Sequence, residues 1–119
     1  MKKILITVLL FTTLNSFAQS DGIEFNRRES IRLDSIGNEF HKLKNYNEAI
    51  FYFNRAIALD SSNGEAILHS AISLGSSGTM SGSGINICNE FQKAYDYGAK
   101  HVDEAAFFYG CKFKKRKKE

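Results

Sequence analysis

From Leu33 onward the apolar residues recur at helical spacing. Leu33, Ile36, Phe40 and Leu43 fall at i, i+3, i+7 and i+10, one stripe of an α-helix. Ala49, Ile50, Phe53, Ala56 and Ile57 form a second stripe, and Asn45 and Asn47 stand before it as candidate N-caps, with Glu48 suited to the first-turn dipole. A third helix is expected after the turn Asp60-Ser61-Ser62-Asn63, with Ala66, Ile67, Ala71 and Leu74 inward. A fourth is read from Ile87, Cys88, Phe91, Ala94 and Tyr95 and ends at Gly98 as a C′ glycine. A fifth runs from Val102 or Asp103 to Phe113, with Ala105, Phe108 and Tyr109 inward. The first helix extends back toward Ile23. No segment alternates as a strand does, so the expected class is all-α, with about five helices in antiparallel helix-turn-helix order.

The N-terminus follows a different pattern. Lys2 and Lys3 precede the apolar run Ile4 to Phe11, and Ser16-Phe17-Ala18 places small residues around a bulky one. These are the parts of a secretory signal peptide, with cleavage expected after Ala18. A membrane span needs roughly 20 apolar residues, more than this segment offers, so no transmembrane anchor is expected in the mature chain. The expected setting is periplasmic or secreted. Cysteine is absent near the cleavage site, which argues against a lipidated start.

Composition sharpens this division. The 119 residues suit one domain, and the chain has no proline, so long helices meet no obligatory break. The formal charge of +3 is unevenly spread. Residues 19 to 111 carry 8 basic and 12 acidic groups, whereas Lys112 to Lys118 hold six basic residues. The expected organisation is a leader at 1–18, a helical domain at 19–113 and a basic tail at 114–119. A solvated tail is the first expectation, and attraction to an anionic surface the second. Gly75 to Gly84 contains four glycines and four serines and reads as a flexible insertion. It lacks the lysine of a phosphate-binding loop.

The residues around the first turn carry a resemblance. Leu33, Ile36, Gly37, Phe40, Tyr46, Ala49, Phe53 and Ala56 resemble one complete tetratricopeptide repeat over residues 30–63, with Ser61 where the family usually has proline. A degenerate second unit spans 64–98, with Ala71 in the place of Gly37 and Phe91 and Ala94 repeating the Phe53–Ala56 spacing. Residues 102–113 then resemble the family's capping helix. The small Gly37 and Ala49 suit close helix approach, and the large Phe40, Tyr46 and Phe53 fill the space beside it.

The resemblance implies a scaffold for a protein or peptide partner, whose groove is lined by the first helix of each pair. Its candidates here are Asp34, Asn38, His41 and Lys42 from the first unit and Leu68, His69 and Ile72 from the second. Asn38 stands out because an amide both donates and accepts. Asp34 has the wrong sign for the family's basic clamp on a terminal carboxylate.

Other chemistry is sparse. Cys88 and Cys111 lie symmetrically about the turn between the fourth and fifth helices, and an oxidising compartment favours a disulfide between them. His41, His69 and His101 form no local metal-ligand cluster. No catalytic motif occurs, so neither enzyme activity, cofactor, metal nor nucleic acid is expected. The alternatives to a binding scaffold are a self-associating structural subunit, a homo-oligomer, and an adaptor for anionic envelope polymers that binds through Lys112 to Lys118.

Overall fold

In a computed structural model the described residues are 2–78 and 86–116, with side chains described from Ser20 onward. They form five helices and, among themselves, no strand: α1 (Lys2–Lys42), α2 (Tyr46–Leu59), α3 (Gly64–Ser77), α4 (Ile87–Asp96) and α5 (Val102–Phe108). Helix α1 is longer than expected. It runs through the leader-like segment without a break, because neither proline nor a left-handed residue interrupts it.

The first hairpin pairs α1 with α2. Lys44 turns the chain with φ of 59°, its N–H bonded to the carbonyl of His41 and that of Asn45 to the carbonyl of Phe40. These two bonds cap the α1 carbonyls in the Schellman manner. Leu43 therefore leaves the apolar stripe and lies exposed in the turn. Of the two candidate caps, Asn45 accepts from the N–H of Glu48 and starts α2. Leu33, Ala49, Phe53 and Ala56 are buried between the helices, and Phe40 stacks on Tyr52 with centroids 5.4 Å apart.

Gly37 sets the separation of the pair. A Cβ placed there would lie 2.5 Å from the Phe53 ring. That ring is 0% exposed and has no space into which to move. Gly37→Val is therefore expected to lower unfolding free energy by about 1–3 kcal/mol through overpacking, measurable by urea denaturation.

The turn to α3 holds without proline. Asp60 accepts from the N–H and hydroxyl of Ser62, and Asn63 caps α3 by accepting from the N–H of Ala66. The buried Ser30 hydroxyl donates to the carbonyl of Ala56 at 2.7 Å and accepts from the Asn63 amide at 2.9 Å. One serine thus ties the start of the first unit to its end.

The second hairpin, α3 with α4, repeats the packing. In α4, Ile87, Phe91 and Ala94 are buried at i, i+4 and i+7, the spacing of Ala49, Phe53 and Ala56 in α2. The offset between the two sets is four residues beyond a standard 34-residue repeat, and the extra residues fall between Ala71, which keeps the 34-residue register with Gly37, and Ile87. Gly75 to Ser77, expected in the flexible insertion, are instead the last turn of α3. They are held there because the Tyr109 ring lies against Gly75, where a Cβ would be 2.5 Å away. Gly78 follows as the left-handed C-cap, with φ of 70°, and the rest of the expected insertion, residues 79–84, lies outside the described residues.

Helix α4 ends as anticipated at Gly98, with φ of 85°. Helix α5 is shorter than expected. Gly110 adopts φ of 70°, its N–H reaches the carbonyl of Phe107, and the Cys111 N–H reaches that of Ala106. That closure ends the helix at Phe108 and leaves the expected stretch to Phe113 outside it. Val102 and Ala106 face inward, which places Phe108 on the outer side, contrary to the expected inward position.

Cys88 and Cys111 form a disulfide with Cα atoms 5.3 Å apart. Cys111 reaches its partner from the segment just beyond α5 rather than from the helix itself. No helix among the described residues is long and apolar enough to cross a membrane.

Candidate functional site

Repeat geometry brings α1 alongside α3, and most of the polar candidates meet between them. Asp34, only 9% exposed, places Oδ1 2.8 Å from Nδ1 of His69. A carboxylate approaches an imidazole nitrogen this closely only across a proton, so Nδ1 is the donor. The Asn38 amide lies 3.3 Å from the same nitrogen. Glu65 flanks the opposite ring nitrogen at 3.9 Å. Phe53 supports His69 from below, with ring centroids 5.6 Å apart, so the first hairpin's core holds this imidazole.

One helical turn further along, Nδ1 of His41 lies 2.8 Å from the Ser73 hydroxyl, and the His41 ring meets Tyr46 edge-on at 5.2 Å. Burial, reinforced by the nearby His69, holds the His41 pKa below its ordinary value. The contribution of neutral His41 to stability is therefore fully present above the unfolded value of about 6.5 and is lost as pH falls through the lower folded value. His41→Gln is expected to flatten the acid limb of a stability-versus-pH curve. Chemical denaturation across that range checks it.

The remaining candidates divide. Ile72 is half-buried at the edge of the core and keeps a surface beside the polar row. Lys42 points away into an exposed pair with Glu39 at 2.9 Å. Leu68 is 4% exposed and packs within the core with Phe91 and Val102, so it offers nothing to a ligand. Helical phase explains this, since Leu68 lies one residue from His69 and turns away toward α4. Asn38 is partly engaged by His69, which limits it to one free side of its amide.

Ser73 and Glu65 join this row although the sequence reading had not selected them. Ser73 lies four residues beyond His69 and Glu65 four before it, so the helical stripe that contains His69 was the available signal. The described residues contain no group of three His, Cys, Asp or Glu side chains able to hold a metal ion.

The basic segment also departs from expectation. Residues 112–116 lie along α4 rather than free in solvent. Gln92 accepts from the backbone N–H of Lys114 at 2.8 Å and donates to its carbonyl at 3.1 Å. Phe113 packs on Tyr95 with centroids 5.2 Å apart, and the Arg116 guanidinium donates to the last carbonyls of α4, those of Tyr95 and Asp96. The segment borders a cleft of about 720 Å³ along α4, lined on the helix side by Cys88, Asn89, Gln92 and Asp96.

Two stacked helical hairpins, close-packed through small residues, with α3 of the second seated mainly on α2 of the first and also against α1, define a helical-repeat scaffold. Residues 35–63 match the family model described as Tetratricopeptide repeat, so the first hairpin is a tetratricopeptide repeat. No curated protein and no solved structure matches the chain. The match covers the first hairpin alone, and the second resembles it in packing. Such repeats serve in general as protein–protein interaction scaffolds, through extended concave surfaces.

Proposed function

We propose that this protein is an exported scaffold, acting by binding rather than catalysis, that holds a peptide or helix of a partner protein along the face shared by α1 and α3. The observation that carries the reading is the convergence of Asp34, Asn38, His41, His69 and Ser73 on that face. Their mutual bonds fix the side chains before a ligand arrives, which lowers the entropy lost on binding. Asn38 and His41 supply hydrogen-bonding capacity, and Ile72 supplies an apolar contact beside them. The leader-like N-terminus supports export, and the Cys88–Cys111 disulfide suits an oxidising compartment.

A photo-cross-linking residue placed at position 38 or 72, and at the exposed Glu48 as control, tests the site in an envelope extract. The expected result is a discrete protein adduct from positions 38 and 72 alone. Adducts equal to those of the control, or none, would contradict it. N-terminal sequencing of the exported protein checks the leader, with Gln19 as the expected first residue.

A further inference from the structure

At the far end of the molecule two features coincide. Phe107 and Phe108 on α5 are 88% and 80% exposed, the highest exposures of any large apolar side chains among the described residues. The exposed Lys112, Lys114 and Lys115 follow in the segment docked on α4. The Lys115 ammonium lies 3.6 Å from the Asp103 carboxylate. Asp103 and Phe107 are four residues apart on α5 and share one face, so the lysine segment passes beside the exposed phenylalanine.

We propose that this end docks on an anionic lipid surface, with Phe107 and Phe108 entering the headgroup region, Lys112 and Lys114 pairing with lipid phosphates, and Lys115 offsetting the charge of Asp103 beside them. Four ties hold the cations in place: the disulfide at Cys111, the Phe113–Tyr95 contact, the Gln92 bonds to Lys114, and the Tyr95 hydroxyl accepting from the Arg116 N–H. The nearby acids are engaged. Asp103 pairs with Lys115, Asp96 accepts from Gln92, and Glu104 lies 3.4 Å from His101. No acidic side chain among the described residues is within ion-pair distance of Lys112 or Lys114.

Charge complementarity selects this occupant. A symmetric contact with a second copy would bring like-charged segments together, and a soluble polyanion would leave both phenylalanines in water. A bilayer surface satisfies both, since phenylalanine is buried at the boundary between headgroups and acyl chains and basic residues are drawn to anionic lipid. This surface is separate from the α1–α3 face, so either can fail without the other.

The chain lacks tryptophan, which makes the test local. In the full-length F107W variant, vesicles of equimolar phosphatidylglycerol and phosphatidylcholine should shift the emission to the blue, and phosphatidylcholine alone should not. Adding K112Q, K114Q and K115Q to F107W should weaken vesicle partitioning by about two orders of magnitude, roughly fivefold per lysine. Helical circular dichroism of both variants serves as the folding check, because all four positions are exposed. Three results would overturn the proposal: unchanged emission on anionic vesicles, an equal shift on neutral ones, or a concentration-dependent shift without vesicles, which would assign the face to a second copy.

Discussion

Phe53→Ala is expected to lower the unfolding free energy by about 3–5 kcal/mol, a large fraction of the stability of a domain this size. The ring is 0% exposed and lies against Gly37 on one side and His69 on the other. Its removal opens a cavity where α1, α2 and α3 meet. Neither helix of the first hairpin can collapse into that space without breaking the Ser30 bonds that close the unit. The effect should therefore reach the α1–α3 face, releasing His69 from its position beside Asp34. Urea denaturation gives the magnitude. Phe51→Ala, which trims an exposed aromatic of the same helix, should change stability by less than about 0.5 kcal/mol.

Reduction of the Cys88–Cys111 bond, or its replacement by two serines, is expected to remove about 3 kcal/mol. The bond closes a loop of sequence separation 23 that contains the α4–α5 turn. Helix α5 has seven residues, too few for stability on its own. It is kept in place by Val102 and Ala106 in the core, by Tyr109 against Gly75 and Phe91, and by the covalent link just beyond it. The loss should concentrate there. Hydrogen exchange should show faster exchange in α5 and in residues 112–116, with α1 and α2 unchanged. A uniform rise across all helices would contradict this division of the molecule.

The first hairpin was legible because each of its local signals agrees with the packing. Gly37, Ala49, Phe53 and Ala56 lie at the spacing that two close antiparallel helices require, and Asn45 caps the helix it precedes. The disulfide was legible from its symmetry about the turn Gly98 to His101, although the helix that was expected to carry Cys111 ends earlier. Other features depend on contacts that leave no periodic trace. Gly110 ends α5 by the same geometry that Gly98 gives α4, yet the apolar Phe113 beyond it made a longer helix look continuous. Phe108 was placed inward from that longer stripe, whereas the inward pair is Val102 and Ala106. Glycine and serine at 75–77 read as loop, but Tyr109 makes the glycine a packing site. The docking of the basic segment depends on Gln92 pairing with the backbone of Lys114, a contact that charge patterning does not reveal.

Within the candidate face, Asp34, Asn38, His41 and His69 were found by repeat register, and the structure places them together. What register omits is their mutual engagement. Asp34 was weighed as a negative charge offered to a ligand, but it is spent on His69, and its role is to hold the imidazole.

The scaffold reading depends above all on α1 and α3 lying side by side through these contacts. Nuclear Overhauser effects between the Asn38 side-chain amide and the His69 ring protons test that placement directly. The account predicts clear cross-peaks for this pair, together with cross-peaks between the Gly37 α-protons and the Phe53 ring. Gly37–Phe53 contacts without any between Asn38 and His69 would mean that the first hairpin folds but α3 does not lie beside α1, and would contradict it.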